Sequence, residues 1–137
     1  MKKLFLSILF ISFFSFSFAQ TGTSHRIIFQ LSVNDTLAHK ALMKQLGNIL
    51  SVSPDTKIEI VCHGPGLEML QVGKSIVADK IAGFAKRGVE FMACEFSMKE
   101  RKVDKSQIIP SAGFVEAGII EIVSKQEKGW SYIKSGF

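Results

Sequence analysis

The sequence predicts an α/β fold, a three-layer sandwich in which helices cover both faces of a mostly parallel sheet of about five strands. Three observations predict it. Short β-branched segments alternate with amphipathic segments, the strand-like segments are apolar along their whole length, and turn-forming residues separate them. No internal repeat or low-complexity linker interrupts the main part of the chain, so we expect one domain.

The first half of the chain predicts two strand–helix units, at residues 26–33, 37–50, 57–62 and 76–85. Both strands are runs of β-branched and apolar residues. Asn34 or Asp35 caps the first helix, whose apolar residues recur at 3.6-residue spacing, and Ser53-Pro54-Asp55 ends it. A loop is predicted after the second strand, because His63-Gly64-Pro65-Gly66 contains three residues that break regular structure.

The second half predicts a strand at 89–94, a short exposed helix at 98–102, a strand at 112–116, a helix at 119–128 and a strand at 130–133. Gly88 ends the preceding helix at the usual C-terminal glycine position. Pro110 separates the charged short helix from the strand that follows.

The first 19 residues have the features of a cleaved secretory signal. Lys2 and Lys3 form a positive region, an uncharged run of 15 residues follows, and Ser17-Phe18-Ala19 supplies small residues at the cleavage site. That run is shorter than the roughly 18 to 20 residues of a membrane-spanning helix, so we expect no stable membrane anchor. The expected organisation is a signal peptide at 1–19, a spacer at 20–25 and a domain at 26–137, periplasmic or secreted.

The charge of the mature domain argues against nucleic acid as a partner. Removal of Lys2 and Lys3 leaves 15 basic residues against 12 acidic ones, a net charge of +3 on 118 residues. A nucleic-acid-binding domain of this size normally carries a stronger and more clustered positive charge.

Candidate ligand-binding residues follow the predicted strands, because the carboxyl ends of parallel strands carry the sites of open α/β sheets. The turns after strands one, two and three supply Ser32, Asn34, Gly64, Gly66 and Ser97. No cofactor is expected: no Gly-x-Gly-x-x-Gly follows strand one, and Gly73-Lys74-Ser75 lacks the first glycine of a phosphate-binding loop.

Cys94 and His63 are the candidate catalytic residues. Cys94 lies at the end of strand three, where the N-terminus of a following helix favours a thiolate. The alternative is a buried cysteine that packs as a small apolar side chain. His63 titrates near neutrality and is able to orient a ligand or move a proton, or it only stabilises its loop by hydrogen bonding. We expect no metal site, because Cys62 and His63 point to opposite faces of their strand.

We expect both cysteines to be free thiols, or Cys94 to be oxidised or persulfidated, although export favours disulfides. In the common doubly wound strand order, strands two and three flank strand one. Cys62 and Cys94 would then lie about 9 to 10 Å apart, too far for a bridge.

Four segments together resemble the DsrE/DsrF-like proteins, in particular their stand-alone single-domain branch: residues 29–32, 60–67, 87–94 and 126–134. The resemblance implies a three-layer α/β fold, assembly into dimers, trimers or hexamers, and sites near subunit contacts. It also implies a sulfur-handling function, since the sulfur-relay members carry a persulfide on a cysteine at the end of the third strand. Cys94 occupies that position.

One departure bears on reactivity: Glu95-Phe96-Ser97 replaces the Gly-Asn-Thr-like turn of the branch. A carboxylate directed at the sulfur would raise the pKa of Cys94. The sequence therefore supports two hypotheses. In the first, an exported homo-oligomer binds or carries sulfane sulfur on Cys94, with His63 in the same pocket and a sulfur donor or acceptor protein as partner. In the second, the protein is a non-catalytic oligomeric module that binds a small ligand or supports assembly.

Overall fold

The computed structural model describes residues 24–136. Within them the chain forms one five-stranded, fully parallel sheet in the order β4-β3-β2-β1-β5. The elements in chain order are β1 (Arg26–Leu31), α1 (Thr36–Val52), β2 (Lys57–Cys62), α2 (Ala78–Ala85), β3 (Glu90–Cys94), α3 (Glu95–Arg101), β4 (Gly113–Val115), α4 (Gly118–Glu127) and β5 (Ser131–Ser135), with 3₁₀ turns at Gly64–Leu70 and Lys105–Gln107. The predicted fold class is confirmed. The predicted signal peptide lies outside the described residues.

The two faces of the sheet are covered unequally. Phe29, Ile60 and Phe91 lie side by side in register on one face, where α1, α2, α3 and the first 3₁₀ turn complete the main hydrophobic core. Ile28 and Val61 lie on the opposite face, where Ile122 of α4 packs against them in a smaller cluster. Because successive strand residues point to opposite faces, this register decides which polar side chains share the α4 face.

Several of the sequence-based assignments change. Strand one ends at Leu31 and not at Val33, and Asp35 is the residue that caps α1, through its hydrogen bond to the Leu37 amide at 2.7 Å. The predicted loop after β2 is a 3₁₀ helix, because Gly64 at φ +51° turns the chain and the apolar residues after it are buried in the core. The short helix begins at Glu95, directly after β3, and not at Met98.

The strand order corrects the argument about the cysteines. β2 and β3 are neighbours in the sheet, so the assumption that both flank β1 was wrong. Cys62 pairs in register with Ala93, and Cys94 is the next residue along β3, so the two side chains point to opposite faces. Both thiols are free, as predicted. They are separated because their side chains point to opposite faces of the sheet, and no strand lies between them.

The helices between residues 24 and 136 are all too short or too polar to cross a bilayer.

Candidate functional site

A cavity of about 260 Å³ lies at the carboxyl edge of the sheet, on the α4 face. Residues after β2, at the start of α3 and at the start of α4 surround it: His63, Gly64, Cys94, Phe96, Ser97, Glu100, Ala117, Gly118 and Ile119. A groove of about 680 Å³ between α1 and α2 is larger, but basic and apolar side chains line it, without a cysteine, histidine or carboxylate. The smaller cavity is therefore the candidate site.

Gly118 brings the first turn of α4 against the cysteine. Its backbone N–H donates a hydrogen bond to the Cys94 sulfur at 3.2 Å. A Cβ at this position would lie 2.9 Å from Val61 Cγ1, closer than real Cβ atoms approach, and 3.2 Å from Cys94 Cβ, which is tighter than most real contacts. A glycine therefore lets the backbone come this close to the sulfur without displacing its neighbours.

Ser97 links the cavity wall to the sulfur. Its hydroxyl accepts a hydrogen bond from the Gly64 N–H at 2.8 Å, and its side chain is buried. A serine hydroxyl has one proton of its own to donate while it accepts. The Ser97 hydroxyl is among the hydrogen-bonding groups that lower the pKa of Cys94.

The pKa of Cys94 lies below the ordinary value of a thiol. Burial of the side chain, which is 4% exposed, opposes this, but hydrogen bonding outweighs it. The donors are the Ser97 amide and hydroxyl, the Gly118 amide and the Phe96 amide. Cys94 is the N-cap residue of α3, so the Phe96 and Ser97 amides belong to the first helical turn that follows it, and the Gly118 amide makes the well-aligned hydrogen bond to its sulfur.

The condition for the expected effect of Glu95, a carboxylate directed at the sulfur, is not met. Its carboxylate forms an ion pair with Lys105, at the start of the second 3₁₀ turn, and it does not contribute to the pKa of Cys94. The side chain therefore turns away from the sulfur, and the departure from the branch's usual turn does not disfavour the thiolate.

Cys62 lies in the opposite environment. It is fully buried in the main core, and burial raises its pKa far above that of an ordinary thiol. The two cysteines therefore differ in chemistry. Cys62 is an apolar core residue, whereas Cys94 lies in a cavity whose hydrogen-bonding groups favour its thiolate form.

His63 is half-buried on the wall of the same cavity, and burial lowers its pKa. Its Nε2 lies 2.7 Å from Nε2 of Gln30, near the end of β1. The hydroxyl of Tyr132 on β5 in turn donates to Oε1 of Gln30. Because burial lowers its pKa, the imidazole is neutral near pH 7. The side-chain amide of Gln30 contacts it at Nε2.

The structure brings four of the predicted site residues together. Cys94, His63, Gly64 and Ser97 line the cavity, whereas Ser32, Asn34 and Gly66 are outside its lining. Gly66 is buried against β1, where an added Cβ would lie 2.3 Å from the Leu31 carbonyl oxygen, so packing explains that glycine.

Sequence reasoning missed Gln30, Gly118 and Tyr132. A polar side chain inside an apolar strand was the available signal for Gln30. Gly118 and Tyr132 gave no comparable signal, because their roles depend on contacts with residues 24 and 102 positions away. Within the described residues, no group of three or more His, Cys, Asp or Glu side chains is placed to hold a metal ion.

Comparison with known proteins identifies the family. The sequence profile of the DsrE/DsrF-like family matches residues 22–135. The chain belongs to the DsrE/DsrF-like family. Membership of this family is linked in general to sulfur relay. A search among curated proteins found no match.

Two solved structures have a similar fold. One is a protein of unknown function, MTH1491, from Methanobacterium thermoautotrophicum, with a TM-score of 0.78 and 23% identity over 81% of this chain and 99% of that one. The other is a conserved protein of unknown function, BT1422, from Bacteroides thetaiotaomicron, with a TM-score of 0.66 and 14% identity over 80% and 93% of the respective chains. At these identities the likeness establishes the fold of this DsrE-like chain and nothing more.

Proposed function

We propose that this DsrE-like protein carries sulfane sulfur as a persulfide on Cys94. The observation that carries the proposal is the polar environment of one sulfur atom: the Gly118 amide donates to it at 3.2 Å, and the Ser97 amide and hydroxyl and the Phe96 amide also lower the pKa of Cys94. A thiol that only fills space needs no such donors, as Cys62 demonstrates in the same chain.

The chemistry is thiol–persulfide exchange. The Cys94 thiolate attacks the outer sulfur of a donor persulfide R–S–SH. A new S–S bond forms at Cys94 while the donor's S–S bond breaks, so the products are Cys94–S–SH and R–S⁻. Discharge repeats the step with an acceptor thiolate and returns the electron pair to Cys94. The same donors assist both directions, because a stabilised thiolate is also the better leaving group.

His63 faces the added sulfur in this proposal. The cavity of about 260 Å³ has room for one sulfur atom and part of a donor, and the imidazole lies on its wall. A neutral imidazole is able to donate an N–H to the persulfide or to hold its proton.

The proposal includes export and assembly. The leader at residues 1–19 supports export, and N-terminal sequencing of the periplasmic or secreted protein tests it, with Gln20 as the expected first residue. Exposed apolar side chains at the cavity rim and on α4 support a homo-oligomer: Phe96 is 56% exposed, Ile119 53% and Ile120 63%. Light scattering should report a smaller particle for Ile120→Glu than for Val52→Glu, a control at an 87% exposed position on α1.

Sulfur uptake tests the function directly. The mature protein is incubated with glutathione persulfide, freed of donor, and weighed intact by mass spectrometry. We expect a gain of about 32 mass units, one sulfur atom, in the wild type and in Cys62→Ala, and none in Cys94→Ser. Both variants replace a thiol by a group of similar or smaller size, so we expect both to fold. Circular dichroism checks that each is folded.

The second hypothesis, a non-catalytic binding or assembly module, makes the contrary prediction. It is favoured if the folded wild type gains no sulfur, or if Cys94→Ser gains as much as the wild type.

A further inference from the structure

Three polar side chains form a continuous hydrogen-bonded chain that ends at the cavity. The Tyr132 hydroxyl donates to Oε1 of Gln30, and Nε2 of Gln30 lies 2.7 Å from Nε2 of His63. The three residues come from β5, from β1 and from the turn after β2, so the chain crosses three neighbouring strands of the sheet.

The sheet register places these groups on one face. Tyr132 pairs with Ile28 and Gln30 pairs with Val61, and both partners belong to the α4 face. His63 lies two residues after Val61 and so continues the same face.

The amide chemistry fixes the proton on the imidazole. Oε1 of Gln30 is engaged by the Tyr132 hydroxyl, so the NH₂ group is the end that faces His63. An NH₂ group only donates, and His63 Nε2 must therefore be an unprotonated acceptor. In a neutral imidazole the proton is then on Nδ1.

We propose that Gln30 and Tyr132 are positioning residues that hold His63 in the neutral, Nδ1-protonated tautomer, so that its remaining N–H is available to sulfur on Cys94. This inference rests on the proposed function in one respect, because sulfur on Cys94 is what the His63 N–H would contact. The tautomer itself is measured on protein without added sulfur. Tyr132 acts through Gln30, whose Oε1 accepts a hydrogen bond from the Tyr132 hydroxyl. The other titratable groups that line the cavity with His63 are Cys94 and Glu100.

Nitrogen NMR of the protein with ¹⁵N-labelled histidine reads the tautomer directly. At pH 8 we expect His63 to have a protonated Nδ1 and an unprotonated Nε2. Gln30→Leu should abolish this preference, and Gln30→Glu should move the proton to Nε2, because a carboxylate accepts and does not donate. Tyr132→Phe should give a mixture of both forms. Gln45→Leu, at an exposed position on α1, is the matched control and should leave the His63 signals unchanged.

A wild-type His63 protonated on Nε2 would overturn the proposal, as would a Gln30→Leu variant with an unchanged tautomer. The test is separable from the proposed function, because it uses protein that carries no added sulfur. If the tautomer is as expected and Cys94 takes up no sulfur, the carrier function fails alone. If sulfur is taken up and the tautomer is Nε2–H, only the positioning role fails.

Discussion

Ser97→Ala should make Cys94 a slower nucleophile near neutral pH. The Ser97 hydroxyl is buried, accepts from Gly64 at 2.8 Å and supplies one of the donors that lower the pKa of Cys94. Alanine removes this donor and also the acceptor of the Gly64 N–H, while it changes the shape of the cavity little. The thiolate is the reactive form, so fewer thiolates at a given pH mean slower reaction.

The magnitude follows from the burial of both partners. A hydrogen bond to a charged group contributes about 1.5 to 3 kcal/mol, and with Ser97 7% exposed and Cys94 4% exposed little of this is lost to solvent. A loss of about 1.5 kcal/mol, the lower of these two values, reduces the fraction of Cys94 present as thiolate at neutral pH about tenfold. A more basic thiolate is intrinsically more nucleophilic, which recovers about threefold. The net rate should therefore fall about three- to fourfold.

The assay is alkylation by iodoacetamide across a range of pH, in a Cys62→Ala background so that Cys94 is the remaining thiol. We expect the midpoint of the pH–rate profile to move to higher pH in Ser97→Ala. Ser75→Ala is the control, because the buried Ser75 hydroxyl has no hydrogen-bond partner in the described part of the chain, and its profile should not move. An unchanged midpoint in Ser97→Ala would refute the role assigned to this hydroxyl.

Three further predictions concern stability. Lys125→Met should cost about 3 to 5 kcal/mol in denaturant unfolding, because it leaves the buried Glu59 carboxylate without its ion-pair partner. Adding Glu59→Leu should recover most of that loss, and equal stability of the single and double variants would contradict the argument. Gly118→Ala should cost about 1 to 3 kcal/mol through its contact with Val61, whereas Gly83→Ala, in open space on α2, should be neutral or stabilising. Wild-type stability should fall as pH drops below about 6.5, since unfolded His63 binds a proton that the folded state resists. His63→Asn should weaken that fall in thermal melts.

The fold could be predicted because it depends on local pattern. Apolar strand segments alternating with amphipathic helices specify a covered parallel sheet, and the position of Cys94 at the end of a strand places it at the edge where sites form. The strand order did not follow from the pattern, because alternation of strands and helices does not determine which strands become neighbours. The wrong order gave a wrong reason for the separation of Cys62 from Cys94.

The electrostatics of the site could not be predicted, because they depend on residues distant in sequence. Glu95 lies next to Cys94 in the chain, but its ion pair with Lys105 directs it away. Gly118 is 24 positions from Cys94 and supplies a direct hydrogen bond to its sulfur. Sequence neighbours suggested a weakened thiolate, whereas the tertiary neighbours stabilise it.

The most direct test of the account is to locate sulfur on the chain. Trypsin cleaves after Lys and Arg, so Cys62 is released in peptide 58–74 and Cys94 in peptide 88–99. After treatment with an isotopically labelled persulfide donor and alkylation to trap the product, we expect the label in peptide 88–99, and in larger amount than in peptide 58–74. Label confined to peptide 58–74, or absent from both peptides, would contradict the claim that Cys94 carries the sulfur.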